Sequence, residues 1–246
     1  MNFDYINKIK ELIDIVEKEE SQNMNDSVNI LVKALNNNNS IYIFGASHAG
    51  ILSQEAFYRA GGLALINPIF APEVSVERQP ITLTSKMERL EGYGETIAST
   101  VEFKENDVLI VHSVSGRNPI TIEIAKAAKD AKATVIGITN LKYSKSVTSR
   151  HSSGKNMYEY CDIVLDNHGE IGDACVEVSP APQKVGPTST IIGSTMLNAI
   201  IVEVAKVIAK QNNGKIPFFA SANMDGGDKF NNELFKEYKE QIHYKY

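Results

Sequence analysis

From Ser40 onward the chain alternates two patterns of apolar positions. Short continuous apolar runs occur at Ile41–Phe44, Leu63–Ile66, Val108–His112, Thr134–Ile138 and Ile163–Asp166. Between them lie segments in which apolar residues recur every three or four positions, among them Gly50–Ala60, Ile120–Ala131 and Ser189–Lys210. Runs of this length, closed by small or turn-forming residues, predict buried strands, and the three-to-four spacing predicts helices. Strands that are apolar on both faces and alternate with helices predict a parallel sheet covered on both sides.

Before the first strand, Phe3, Ile6, Ile9, Leu12, Ile13 and Val16 lie on one face of a helix. Asp26 or Ser27 is placed to cap a second helix that runs through Leu35 and breaks at Asn36–Asn39. The resulting helical hairpin either packs on its own domain or forms a dimerisation arm. Two segments interrupt the alternation. Residues 67–106 carry Pro68, Pro72, Pro80 and the Gly92–Gly94 pair, and residues 141–160 are rich in Ser, Lys and Tyr. Long excursions of this kind are usually lids or binding elements. The expected architecture is a three-layer α/β/α sandwich on a five-stranded parallel flavodoxin-like sheet. Its expected parts are a hairpin over 1–39, a domain over 40–212, and a turn-rich strap with a short helix over 213–246.

Composition narrows the functions. With 246 residues and 43% apolar content, the chain can bury a full core. A net charge of −5 without Lys/Arg clusters argues against nucleic acid as a partner. No membrane span or secretory leader is expected, so the expected location is cytoplasmic. Cys161 and Cys175 stand without further Cys or His at metal-site spacing and read as reduced thiols.

The chemistry concentrates where strands hand over to helices. Val108–Val111 leads into His112-Ser113-Val114-Ser115-Gly116-Arg117-Asn118-Pro119, after which a helical pattern begins. Small polar residues at such a junction supply free N–H groups, hydroxyls and the positive end of a helix dipole, which together suit a phosphate. An ordinary capped turn uses the same residues. A second junction is Gly45-Ala46-Ser47-His48-Ala49-Gly50, and a third opens a helix at Pro187-Thr188-Ser189-Thr190. Gly45–Gly50 lacks the middle glycine of a dinucleotide-binding turn, and the next strand ends at Asn67 rather than an acid. No cofactor and no metal site are expected.

In order and spacing these three junctions, covering about residues 25–212, resemble the SIS (sugar isomerase) domain family. The resemblance implies that Ser47, Ser113 and Ser115, and with them Ser189, bind the phosphate of a sugar phosphate. Gly45, Gly116 and Thr188 belong to the same turns. Asn118 departs from the Ser or Thr often found there, and Arg117 either adds a charged donor or is solvated. The resemblance further implies a cytosolic homodimer acting as an aldose–ketose isomerase on a phosphorylated hexose, heptose or hexosamine. Etherase, deaminase or deglycase activity on an amino-sugar phosphate, and non-catalytic sensing, are the alternatives.

An isomerase needs a proton-transferring group tuned near neutral pH. His48, at the start of the first helix, and Glu55, further along it, are candidates, as is His168 at the end of the last strand. His112 reads either as lining the site or as a buried strand residue. Glu203 lies among Ile200, Ile201, Val202 and Val204, where a carboxylate needs a partner. The family's usual C-terminal catalytic histidine has no counterpart here except His243, near the end of the chain.

Overall fold

The computed structural model describes residues 2–245. Five strands, β1 (Ile41–Gly45), β2 (Ile66–Pro68), β3 (Val108–His112), β4 (Thr134–Thr139) and β5 (Ile163–Asp166), form one sheet. All neighbours are parallel and their order is β2-β1-β3-β4-β5, as the alternating pattern predicts. β3 is buried along its whole length, and β1 and β4 at all but one residue each, which explains why they read as continuous apolar runs rather than as alternation.

One face of the sheet carries α1 (Asp4–Glu19), α2 (Ser21–Asn36), α3 (Ile51–Ala56) and α8 (Ser189–Gln211). The opposite face carries α5 (Tyr93–Ala98) and α6 (Pro119–Asp130). Leu12, Val16, Leu31 and Leu35 of the hairpin share one core with Ile41, Ile43 and Leu165 of the sheet and Ile192, Met196 and Val204 of α8. Among the described residues, α8 is long and apolar enough to cross a membrane, and one face of it is buried in this core.

Four local expectations need correction. The second helix starts at Ser21, directly after Glu20, so Asp26 and Ser27 lie inside it and Ser27 Oγ donates to the Asn23 carbonyl. The helix expected over Gly50–Ala60 is a 3-10 turn, Ser47–Gly50, followed by α3, which ends at Ala56. There the chain becomes extended and seats Phe57 edge-on against Phe70 and Tyr244. The second strand is displaced from Leu63–Ile66 to Ile66–Pro68, because residues 61–64 pair instead with the C-terminal strap. The Ala64 N–H donates to the Pro217 carbonyl, the Phe219 N–H to Gly62, and Leu63 bridges Phe218. Finally, the excursions hold structure of their own. Residues 67–106 contain α4 (Thr82–Glu88) and α5, residues 141–160 contain α7 (Leu141–Ser146), and a hairpin of β6 (Ala174–Val176) and β7 (Val185–Pro187) precedes α8. A last helix, α9 (Gly227–Glu237), follows the strap.

Long-range hydrogen bonds anchor the 67–106 excursion. Glu123 of α6, 1% exposed, accepts from the N–H groups of Gly92 and Glu95 and so caps α5 with a carboxylate. Leu31, fully buried between the hairpin and the sheet, tests whether the hairpin belongs to the core. Leu31→Ala is expected to cost about 2–5 kcal/mol in denaturant unfolding, the usual range for a core leucine. A loss under about 0.5 kcal/mol would show a peripheral arm instead.

Candidate functional site

Gly45 pairs with His112 in register, so the turns that follow β1 and β3 leave the sheet side by side at its carboxyl edge. The turn after β1 is tight. A Cβ on Gly45 would lie 2.4 Å from the Ala49 carbonyl oxygen, so no larger residue fits without moving backbone. Ser47 adopts φ 54°, a left-handed conformation that costs about 1–3 kcal/mol outside glycine and concentrates at ligand-binding turns. His112 is fully buried behind this turn. Its Nδ1–H donates to the Ala49 carbonyl at 3.0 Å, while Nε2 has no partner. It is the buried strand residue of the two sequence readings.

The turn after β3 is nailed down on its far side. The Ser113 N–H donates to the Ile138 carbonyl, Thr139 Oγ1 donates to the Ser113 carbonyl, and the Gly116 carbonyl accepts from Met157 N–H. Ser113 Oγ accepts from the Gly116 N–H at 3.2 Å, with Gly116 at φ 60°. Among the described residues, the Ser115 hydroxyl and the N–H groups of Ser115 and Arg117 have no partner. They stand at the N-terminus of the twelve-residue α6, where Asn118 is the cap residue but makes no side-chain cap. Arg117 turns its Nε to the Thr148 carbonyl at 3.0 Å.

Beside these turns is a cleft of about 380 Å³. Gly45, Ser47, Gly50, Ser53 and Gln54 line one wall, and the strap Ile69–Arg78 lines the other. The Ser113–Asn118 turn lies outside this lining, so Gly45 and Ser47 are where cleft and turn meet. Ser53 Oγ is buried without a partner at this wall.

The other residues singled out from sequence are placed as follows. His48 is exposed at the same edge. Glu55 Oε1 accepts from Arg59 and from Asn198 Nδ2 of α8, and Glu55 is not part of the cleft wall. His168 Nε2 lies 3.0 Å from Glu20 Oε1, at the corner between α1 and α2. Thr188 and Ser189 are brought to a helix N-terminus as expected, yet the Asp173 carboxylate already fills it, accepting from both N–H groups and both hydroxyls. Asn118 spans two charges: its Nδ2 donates to Glu88 Oε2 and its Oδ1 accepts from Arg150 Nη1, each at 2.8 Å. Glu203 is solvent-exposed, and the partner it needs is Lys206, three residues further along α8. His243 hydrogen-bonds Ser40 at the start of β1 and stacks on Tyr42, at the opposite end of the strand from the turns.

Glu88, Arg89 and Arg150 are the residues the sequence pattern did not single out. Burial pushes the Glu88 carboxyl above the usual carboxylate range, against the opposing pull of the Asn118 hydrogen bond and of Arg89, Arg150 and His48. Burial also lowers Arg150, helped by the like charges of Arg117 and Arg89. Among the described residues, no salt bridge to a carboxylate ties down Arg89, Arg117 or Arg150. Their clustering beside the Ser113–Asn118 turn arises only in three dimensions.

Burial holds the His112 imidazole below its ordinary value of 6.5. The unfolded chain therefore takes up a proton as the pH falls below that value, while the folded chain does not. Stability is fully present above that pH and is lost on acidification, by at most about 1.4 kcal/mol per pH unit. Denaturant midpoints at pH 7.5 and 5.5 should show a steeper loss for the wild type than for His112→Gln. Equal losses in the two proteins would contradict this assignment.

Sequence comparison agrees with the geometry. Residues 4–140 match the SIS domain model. A UPF0309 protein of Shouchella clausii is 50% identical over 240 residues, covering 98% of this chain and 97% of its own length. One from Oceanobacillus iheyensis is 48% identical, with 98% coverage of both chains. Among solved structures, a phosphoheptose isomerase from Francisella tularensis superposes with a TM-score of 0.53 at 14% identity, covering 82% of this chain and 95% of that one. One from Neisseria gonorrhoeae gives 0.51 at 16% identity with the same coverage. The two glycine and serine turns at the edge of a 2-1-3-4-5 parallel sheet are thus those of a family: the chain belongs to the SIS domain proteins and, within them, to the UPF0309 group.

Proposed function

We propose that this protein binds a sugar phosphate at the carboxyl edge of β1 and β3 and isomerises it between aldose and ketose. The observation that carries the reading is the unpaired set at the start of α6: the Ser115 hydroxyl with the N–H groups of Ser115 and Arg117. Donors that converge at a helix N-terminus, with nothing from the chain to fill them, suit a phosphate dianion. Gly116 lets the backbone approach the anion closely, Ser113 holds the turn, and three arginines set the local field. Ser47 stands between this anchor and a cleft of about 380 Å³, within the size range of small-ligand sites. Two solved structures that share the fold are phosphoheptose isomerases, which supports the same substrate class.

In this reading the phosphate sits on the Ser113–Arg117 turn and the sugar extends past Ser47 into the cleft. Of the base candidates read from sequence, His48 stands open at this edge. Glu55 is committed to Arg59 and Asn198, and His168 to Glu20. The groove of about 730 Å³ between the hairpin and α8, walled by Ile13, Val16, Met24 and Met196, is where the expected homodimer would form. Light scattering at micromolar concentration should then give twice 27.1 kDa, and a monomer mass would exclude it.

Ser115→Ala is expected to weaken sugar-phosphate binding by about 1.5–3 kcal/mol, the usual worth of a hydrogen bond to a charged group. Isothermal titration with fructose 6-phosphate, glucosamine 6-phosphate and a ketoheptose 7-phosphate checks this, and unchanged affinity would remove the turn as anchor. With the same compounds in deuterated water, hydrogen exchange at C1 or C2 is the expected product signature. Elimination products would indicate a lyase, and binding without turnover a sensor.

A further inference from the structure

We propose that Glu88 is the carboxylate that takes the proton from the sugar carbon and returns it, a role resting on the sugar-phosphate reading above. Three features of its position carry the inference. Glu88 is the last residue of α4, which packs on the strap that walls the cleft and on α6 behind the Ser113–Asn118 turn. Its carboxylate stands at the Asn118 end of the phosphate-bearing turn, on a helix that packs against the cleft wall, while Glu88 itself lies outside the cleft lining. Its two oxygens are also inequivalent. Oε2 is fixed by Asn118 Nδ2 at 2.8 Å, and Asn118 is held in turn by Arg150, while Oε1 has no partner among the described residues. A carboxylate oriented through one oxygen and open at the other has the arrangement of a positioned general base. Finally, the charged groups that pull on it are Arg89 beside it on the chain, Arg150 from the 147–154 loop and His48 from the turn after β1, and Asn118 from the α6 cap donates to it.

The step balances without a co-reactant. Glu88 Oε1 takes the proton from C2 of an open-chain aldose, and the C–H electron pair becomes the C1–C2 double bond of an enediolate. The carbonyl pair moves onto O1, which is protonated. The O2 proton then leaves as the C2 carbonyl forms, and the proton on Glu88 is delivered to C1. The exposed His48 imidazole, on the same edge, carries the proton from O2 to O1. Burial raises the Glu88 carboxyl, so the base form fails at higher pH than for a solvated glutamate, and the acid limb of the rate profile moves up accordingly.

The competing role for Glu88 is as a bracket that merely holds Asn118 and the turn, and Glu88→Gln separates the two. A glutamine still accepts the Asn118 hydrogen bond but takes no proton. Binding of fructose 6-phosphate, glucosamine 6-phosphate and a ketoheptose 7-phosphate is measured by calorimetry, and exchange at C1 and C2 in deuterated water by NMR. The expected result is affinity within about threefold of wild type with exchange reduced roughly 10²–10⁴-fold, partly restored in Glu88→Asp, and no acid limb in the residual rate. Wild-type exchange in Glu88→Gln, or a loss of exchange matched by an equal loss of affinity, overturns the assignment and leaves the phosphate site standing. Binding by the wild type with no exchange overturns it as well. If the wild type binds none of the three compounds, the phosphate reading itself fails and the assignment falls with it.

Discussion

The hydrogen bond from His112 Nδ1 to the Ala49 carbonyl crosses a single strand spacing and couples the two turns on which the site depends. It joins the last residue of β3 to the 3-10 turn after β1, and it forms only because Gly45, paired opposite His112, has no Cβ to push Ala49 away. The bond also selects the tautomer: Nδ1 carries the hydrogen, so the neutral ring keeps a bare Nε2 beneath Gly193 of α8. A charged imidazole at that depth loses its hydration, and this outweighs the opposing pull of the Ala49 carbonyl and the Asp173 carboxylate. Ser47 and Ser115 are thereby held in a fixed relation by core atoms rather than by the loops themselves.

Carboxylates organise the rest of the molecule through helix N-termini. Asp173 fills the start of α8 with four hydrogen bonds, and Glu123 fills the start of α5 with two. Asp166 serves the start of α7 in the same way, accepting from the Leu141 N–H. Each places an anion on the positive end of a helix dipole and satisfies donors that would otherwise be orphaned. The start of α6 receives no such carboxylate. Its neighbour Glu88 reaches the Asn118 side chain instead, and the N–H groups of Ser115 and Arg117 have no partner among the described residues. The same chemistry that closes α5, α7 and α8 with internal anions leaves the start of α6 open.

This explains why hydroxyl-rich helix starts that look alike in sequence behave differently. Thr188-Ser189 and Ser113–Ser115 carry the same donor types, and both lie at the carboxyl edge. One is sealed by a residue 16 positions upstream, in a hairpin with no periodic signal, and the other is not. His168 shows the same effect. It follows the last strand as expected, yet the edge position of β5 turns it towards Glu20, 148 residues earlier.

The amino-acid sequence by itself determined the alternation of strands and helices, the parallel five-stranded sheet and the placement of the Gly45 and Ser113 turns at one edge. These are local properties: strand and helix periods, and turn residues at the junctions, are written in consecutive positions. Strand boundaries and side-chain roles were decided only by the tertiary structure. The strap Pro217–Phe219 claims the backbone of residues 61–64 and displaces β2, and Glu88 meets Asn118 across 30 residues. Asp173, Glu20 and Arg59 occupy groups that the pattern alone leaves open. Such pairings depend on which atoms the packed elements bring within about 3 Å, a relation that no local spacing encodes.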